Sequence, residues 1–186
     1  QIMVNFSKSQ FTVTALIRDC SNCQPNSGTV TPTEQQIPYL EKATLHVAPA
    51  EGYFVGCVNC TLPADLPSCG NGSLLGDTYT TDLIASDCYV EFFFDRIRLE
   101  VAVTVEGDGN AEIPPGPVFY GSDVDVYLSP AFGYQLTTAE GCPGIIEDHE
   151  SNGTQYSLFR ISNIKENCSL HVTFTQQNYV VSASAT

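Results

Sequence analysis

One pattern occurs three times and constrains the fold more than anything else in the chain. The segments "QIMVNFSKSQFTVTALI" (1–17), "CYVEFFFDRIRLEVAVTVE" (88–106) and "CSLHVTFTQQNYVVSASAT" (168–186) align without gaps. Gln1 falls opposite Tyr89, and Cys88 opposite Cys168. In each copy apolar residues alternate and then change phase. Ile2, Val4 and Phe6 give way to Phe11, Val13, Ala15 and Ile17. Val90, Phe92 and Phe94 give way to Ile97, Leu99, Val101, Val103 and Val105. Leu170, Val172 and Phe174 give way to Tyr179, Val181, Ala183 and Ala185. Alternation with period two marks a half-buried strand. A one-residue slip turns its buried face over. Each copy therefore reads as the last strand of one domain running into the first strand of the next. A β-bulge within one sheet produces the same slip.

Other segments repeat in the same order. "GTVTP" (28–32) matches "AEIPP" (111–115), and "TLHVAPAEGYFV" (44–55) matches "DVYLSPAFGYQL" (125–136). Asn71-Gly72-Ser73 matches Asn152-Gly153-Thr154, and "TYTTDLIASDC" (78–88) matches "LFRISNIKENC" (158–168). Each unit then runs strand, turn, short strand, turn, strand to Gly-Tyr, long loop, strand, Cys, last strand. Frequent Gly and Pro leave no stretch that reads as a long amphipathic helix. The expected fold is all-β, with two tandem small β-sheet domains, β-grasp-like or sandwich-like, and long strands crossing between them. Domain 1 spans 10–95 and domain 2 spans 96–176. Residues 1–9 form the orphan last strand of a preceding repeat, or a donor strand. Residues 177–186 form an orphan first strand or tail.

Composition narrows the function. Seven basic against 21 acidic residues give a net charge of −14. Nucleic acid and anionic membrane both require basic patches, so neither is an expected partner. No apolar run approaches the roughly 18 residues of a membrane-spanning helix. No secretion leader is visible, and Gln1 suits a processed end as well as an excised fragment. Eight cysteines, an even count, favour disulfides and an oxidising compartment. Asn-x-Ser/Thr, the acceptor of N-glycans in secreted proteins, occurs at Asn5, Asn59, Asn71, Asn152 and Asn167. Together these features indicate an extracellular, glycosylated protein.

The order first strand, Gly-x-Val-x-Pro, strand ending Pro-x-x-Gly-Tyr, Cys-bounded loop, and final Val-x-Phe strand resembles the internalin B-repeat family. The likeness covers nearly the whole chain, twice. The chain lacks the Trp that commonly follows Gly-Tyr in that family. The resemblance implies small, mainly β modules with structural, adhesive or spacer roles on surface or secreted proteins.

The cysteines follow the repeat. Cys142 and Cys168 bracket the long loop of the second unit, and Cys60 and Cys88 hold the corresponding places in the first. The expected pairs are therefore Cys60–Cys88 and Cys142–Cys168. For Cys20, Cys23, Cys57 and Cys69, one solution is Cys20–Cys23 with Cys57–Cys69. "CSNC" (20–23) and "CVNC" (57–60) also have zinc-site spacing. Zinc would take Cys60 from Cys88, and an oxidising compartment favours disulfides, so no cofactor is expected.

Little else suggests chemistry. His46 and His171 alternate with apolar residues and so face away from the core, while His149 lies in the polar loop "EDHE". In "EGDGNAE" (106–112), Glu106, Asp108, Asn110 and Glu112 have oxygen ligands at alternating positions, a spacing that fits calcium. A Gly-rich hairpin turn explains the same residues. Asp123 and Asp125 read as the solvent face of a strand, and "IPPGP" (113–117) as a stiff turn. Nothing resembles a nucleophile elbow or a phosphate loop, so an enzyme is not expected. A free, apolar, uncharged terminal strand pairs readily with other chains. The expected role is that of a filament or surface-fibre subunit assembling head to tail with itself through residues 1–9 and 178–186. The alternative is an adhesin or stalk segment that binds a glycan or protein, or spaces a binding domain from the cell surface.

Overall fold

The computed structural model describes residues 8–19, 26–151 and 154–178. The chain divides into two compact units between Ile97 and Arg98. The terminal segments 1–7 and 179–186, with most of both expected orphan strands, lie outside the described residues.

The first unit holds eight strands: β1 (Gln10–Asp19), β2 (Gly28–Thr31), β3 (Glu34–Pro38), β4 (Lys42–Pro49), β5 (Tyr53–Val58), β6 (Ser73–Leu75), β7 (Thr78–Leu83) and β8 (Cys88–Arg96). They form two sheets, ordered β3-β1-β8-β5 and β2-β4-β7-β6. The second unit holds β9 (Arg98–Leu99), β10 (Val101–Glu106), β11 (Gly109–Glu112), β12 (Val118–Phe119), β13 (Val124–Pro130), β14 (Tyr134–Glu140), β15 (Ile145–Ser151), β16 (Thr154–Ile161) and β17 (Cys168–Gln176). Its sheets are β10-β17-β14, with β12 paired to β9, and β11-β13-β16-β15. If β9 and β10 together stand for β1, the two topologies are the same.

The fold is all-β, with no helix among the described residues. Each unit is a sandwich. The β-grasp alternative needs a helix against its sheet, and here a second sheet takes that place. Val13, Val90, Phe92 and Phe94 of one sheet meet Val30, Leu45, Val47 and Tyr79 of the other. Tyr79 packs edge-on against Phe92 at 5.2 Å. In the second unit Leu170, Val172 and Phe174 meet Val126, Leu128, Phe159 and Ile161. Burying a side chain of this size stabilises by about 1.5–3 kcal/mol.

The phase change marks the passage between units. Val90, Phe92 and Phe94 lie in the first core, while Leu99, Val101 and Val103 pack against the second. The passage is not one long strand, as expected, but three, with breaks at Ile97 and Glu100. Turning the buried face over interrupts the ladder.

Three more expectations change. The segments 44–55 and 125–136 are not single strands but two strands each, β4 and β5 or β13 and β14, which a tight turn carries from one sheet of the sandwich to the other. The Ala50 carbonyl accepts from Tyr53 N–H (3.0 Å) and that of Ala131 from Tyr134 N–H (2.9 Å). Gly52 (φ 83°) and Gly133 (φ 82°) sit where such a turn needs positive φ. The long loop contains a further strand, β6 or β15, so His149 lies on a strand and not in a loop.

The third change is the alignment of Gly28 with Ala111, which is two residues out. Gly28 faces Pro49 and Gly109 faces Pro130, so the two glycines are equivalent. Each lies beneath a phenylalanine of the last strand. A Cβ on Gly28 would stand 2.6 Å from the Phe94 ring, and one on Gly109 would stand 2.5 Å from the Phe174 ring. Both rings are almost fully buried. Overpacking of this kind costs about 1–3 kcal/mol. Gly109→Ala should therefore lower stability by that amount in urea denaturation, and adding Phe174→Leu should recover part of the loss.

Candidate functional site

The feature common to both units is a parallel pair of first and last strands. β1 runs beside β8 with Val13 opposite Cys88, and β10 beside β17 with Val101 opposite Cys168. The residue before each cysteine holds the start of the first strand. Asp87 accepts from Thr12 N–H (2.7 Å), and Asn167 Oδ1 accepts from Glu100 N–H (2.9 Å). The exit is held in the same way in both. Ile97 N–H donates to the Gly52 carbonyl (2.9 Å) and Gln177 N–H to that of Gly133 (2.7 Å).

The structure corrects the disulfides of the first unit. Cys69 pairs with Cys88 and Cys57 with Cys60, in place of the expected Cys60–Cys88 and Cys57–Cys69. In the second unit Cys142 pairs with Cys168. Counting forward from Gly-Tyr matches Cys60 to Cys142. The structure matches Cys69 to Cys142, because each lies just before the strand that forms a hairpin with β7 or β16, namely β6 or β15. The difference is an insertion after β5. With separations of 19 and 26 residues, the two long-range bridges contribute about 3–3.5 kcal/mol each by loop-closure entropy, and the three-residue bridge about half that. Cys20 and Cys23 lie outside the described residues. Because Cys57 and Cys60 are joined to each other, they are not thiolate ligands for zinc. Three disulfides mark an oxidising environment. No helix among the described residues is long and apolar enough to cross a membrane.

The insertion buries a charge. Glu91 lies on the outer face of β8, yet its side chain is fully buried. Its Oε1 accepts from Arg18 Nε (2.9 Å), and its Oε2 from both the N–H and the hydroxyl of Thr61 (2.9 Å each). Asn59 continues the ladder of β5 with its side chain. Its Oδ1 accepts from Glu91 N–H (2.7 Å), its Nδ2 donates to the Gly70 carbonyl (3.1 Å), and its own N–H donates to the Glu91 carbonyl (2.8 Å).

The sequons consequently differ. Asn59 has its carboxamide consumed by the fold, and so has the hydroxyl of its sequon threonine, Thr61. Asn71 and Asn167 are exposed, and only the Oδ1 of Asn167 carries the structural bond. Asn5 and Asn152 lie outside the described residues.

Among the described residues no three His, Cys, Asp or Glu side chains gather as a metal set. Glu106, Asp108, Asn110 and Glu112 are exposed along the β10–β11 turn and do not converge. His46 lies 3.3 Å from Asp77, and His171 Nδ1 is 2.6 Å from the Thr104 hydroxyl. The "IPPGP" segment lies between β11 and β12.

The sheet β11-β13-β16-β15 of the second unit carries a ladder of charged and aromatic side chains. Asp125 accepts from Arg160 through both oxygens (2.8 and 3.2 Å), and Glu147 lies 3.7 Å from both Arg160 and His149. Asp123 accepts from Asn163 N–H instead. His149 stacks on Tyr156 at 5.5 Å, and Tyr156 meets Tyr127 at 6.3 Å. Beside this ladder a cleft of about 380 Å³ opens between β14 and the β15–β16 hairpin. Sequence reading misses it, since β14 and β15 lie in the segment after Gly-Tyr that reads as a long loop. No family model matches the chain, and no curated protein or solved structure matches it.

Two outcomes follow. Thr61→Val should lower stability by about 1–3 kcal/mol in urea denaturation, because it strips a hydroxyl donor from a buried carboxylate. The hydrogen bond from Arg160, then its charge, holds the Asp125 carboxyl below its ordinary value. The bond therefore contributes at neutral pH and is lost as pH falls from about 4 toward the lower folded value. Asp125→Asn should lower Tm at neutral pH, and its difference from the wild type should shrink in acid.

Proposed function

We propose that the chain is an extracellular structural protein, a subunit of a filament or surface fibre that adds end to end through residues 1–9 and 178–186. One observation carries this proposal. The chain leaves the last strand of one unit and enters the first strand of the next with only Ile97 between β8 and β9. Units of this kind are strung without linkers, and the passage itself is made of strand.

The exit bond at Gln177 reproduces the one at Ile97, so the second unit ends on an equivalent anchor. Residues 178–186 carry the apolar phase of a first strand, and residues 1–9 carry that of a last strand. In both units such strands pair with each other in parallel. A tail of one copy meeting the head of the next would satisfy both by strand addition. A head-to-tail contact repeated without closure builds a filament. Disulfides and exposed sequons suit an extracellular fibre, and a likeness to internalin B-repeats agrees with a structural module.

A second reading, a stalk or adhesin module that binds a ligand, is favoured by the cleft of the second unit. Negative-stain microscopy and light scattering separate the two. The purified chain should form long fibres, and a chain lacking residues 178–186 should stay monomeric. Monomers in both samples would sink the assembly proposal and leave the stalk or adhesin.

A further inference from the structure

The sequons at Asn59, Asn71 and Asn167 have different surroundings, and the difference selects which of them a glycan can occupy. An N-glycan replaces one of the two hydrogens on the asparagine Nδ2. Transfer forms a bond from Nδ2 to the anomeric carbon of a glycosyl pyrophosphate donor. The donor's C–O bond breaks, pyrophosphate leaves, and the amide proton passes to a base of the transferase. In the folded product the acceptor therefore needs an amide hydrogen that the fold does not use.

Asn59 has none. Its Nδ2 donates to the Gly70 carbonyl at 3.1 Å and to the Ser68 hydroxyl at 3.4 Å, so two acceptors take its two hydrogens. Its Oδ1 and its own N–H are tied to the backbone of Glu91. The residue sits at φ 57° inside the turn that the Cys57–Cys60 bridge closes. The hydroxyl of Thr61, which completes the sequon, donates to the buried Glu91 carboxylate. A sugar on this Nδ2 would push the segment at Ser68 and Gly70 away and open the cover over Glu91.

Asn71 is the opposite case. It is exposed, and among the described residues nothing hydrogen-bonds its carboxamide. Its backbone is nonetheless fixed, since Asn71 N–H donates to Asp82 (2.9 Å) and Gly72 N–H to the Tyr79 hydroxyl (3.0 Å). Ser73, the last sequon residue, is exposed as well. Asn71 stands just before β6, an outer strand of the sheet β2-β4-β7-β6. On that strand Leu75 is 84% and Leu74 37% exposed. An open edge carrying apolar side chains invites pairing with other chains. A glycan two residues away covers both the edge and the leucines. Asn167 is also compatible. Its Oδ1 accepts from Glu100 N–H, a bond that a glycan leaves in place, and a cleft of about 590 Å³ opens beside it.

We infer that the folded chain carries N-glycans at Asn71 and Asn167 and none at Asn59, and that the Asn71 glycan shields the β6 edge. The inference rests on the extracellular reading of the protein and is independent of assembly.

The test is secretion of the full chain, and of its form lacking 178–186, from a eukaryotic host. The glycans are then removed by glycosidase in heavy-oxygen water, which marks each occupied asparagine for peptide mass spectrometry. Marks are expected at Asn71 and Asn167 and not at Asn59. Asn59→Gln should keep the same glycans and lower Tm, because this carboxamide holds the fold and not a sugar. In the form lacking 178–186, Asn71→Gln should keep the Tm of the deglycosylated protein and aggregate at lower concentration than Asn167→Gln. A mark at Asn59 in the folded, secreted chain overturns the inference and leaves the extracellular reading standing. Marks at no sequon overturn both. An unmarked Asn71 or Asn167 overturns the assignment of that site, and equal aggregation of the two variants overturns the shielding role.

Discussion

The parallel pairing of first and last strand is the contact on which each unit depends. A parallel pair cannot be closed by a hairpin and needs a long crossover. Here the crossover is the rest of the unit, including its entire second sheet. Fixing β1 beside β8 therefore fixes which faces of both sheets meet. The register is held at one end by Asp87 or Asn167 and, in the same place, by the cysteine of the last strand. Contacts so distant in sequence are entropically expensive to form. The Cys69–Cys88 and Cys142–Cys168 bridges act on the very loops that make them expensive.

On this common frame the units diverge by replacement at a few places. After β5 an insertion takes over the ladder of the last strand, using the Asn59 side chain and then the segment around Ser68. In the second unit β14 simply continues to Glu140. The insertion covers Glu91, whose counterpart His171 is exposed and bonded to Thr104. In the second unit the extended hairpin builds the cleft, with its aromatic and ionic ladder on the outer face. A shared frame with local differences is where separate roles arise, because function lives in sites carried by a fold and not in the fold itself.

Much of the frame was legible in the residues. Val90, Phe92 and Phe94 against Leu99, Val101 and Val103 expose two buried faces and the change between them, because period two is a local property of a strand. Pro-Ala-x-Gly-Tyr was visible as a repeat, though not as the turn that splits one apparent strand into two. The equivalence of Gly28 and Gly109 was hidden, since short strands carry too few residues to align. It is fixed by Phe94 and Phe174, which are distant in sequence and close in space. β15 was hidden too, since Ile145 and Ile146 are adjacent and polar residues follow, and an edge strand of that kind shows no alternation.

By itself the sequence determined the all-β class, the duplication, the acidic surface and the two-core reading of the slipped strands, since each follows from composition or from local periodicity. Tertiary structure alone decided which cysteines meet, why Asn59 and Glu91 are locked together, and that the β15–β16 hairpin and β14 enclose a cleft. Those facts depend on segments brought together by the parallel first–last pair. Spacing along the chain carries no record of which side of a sheet an insertion will cover.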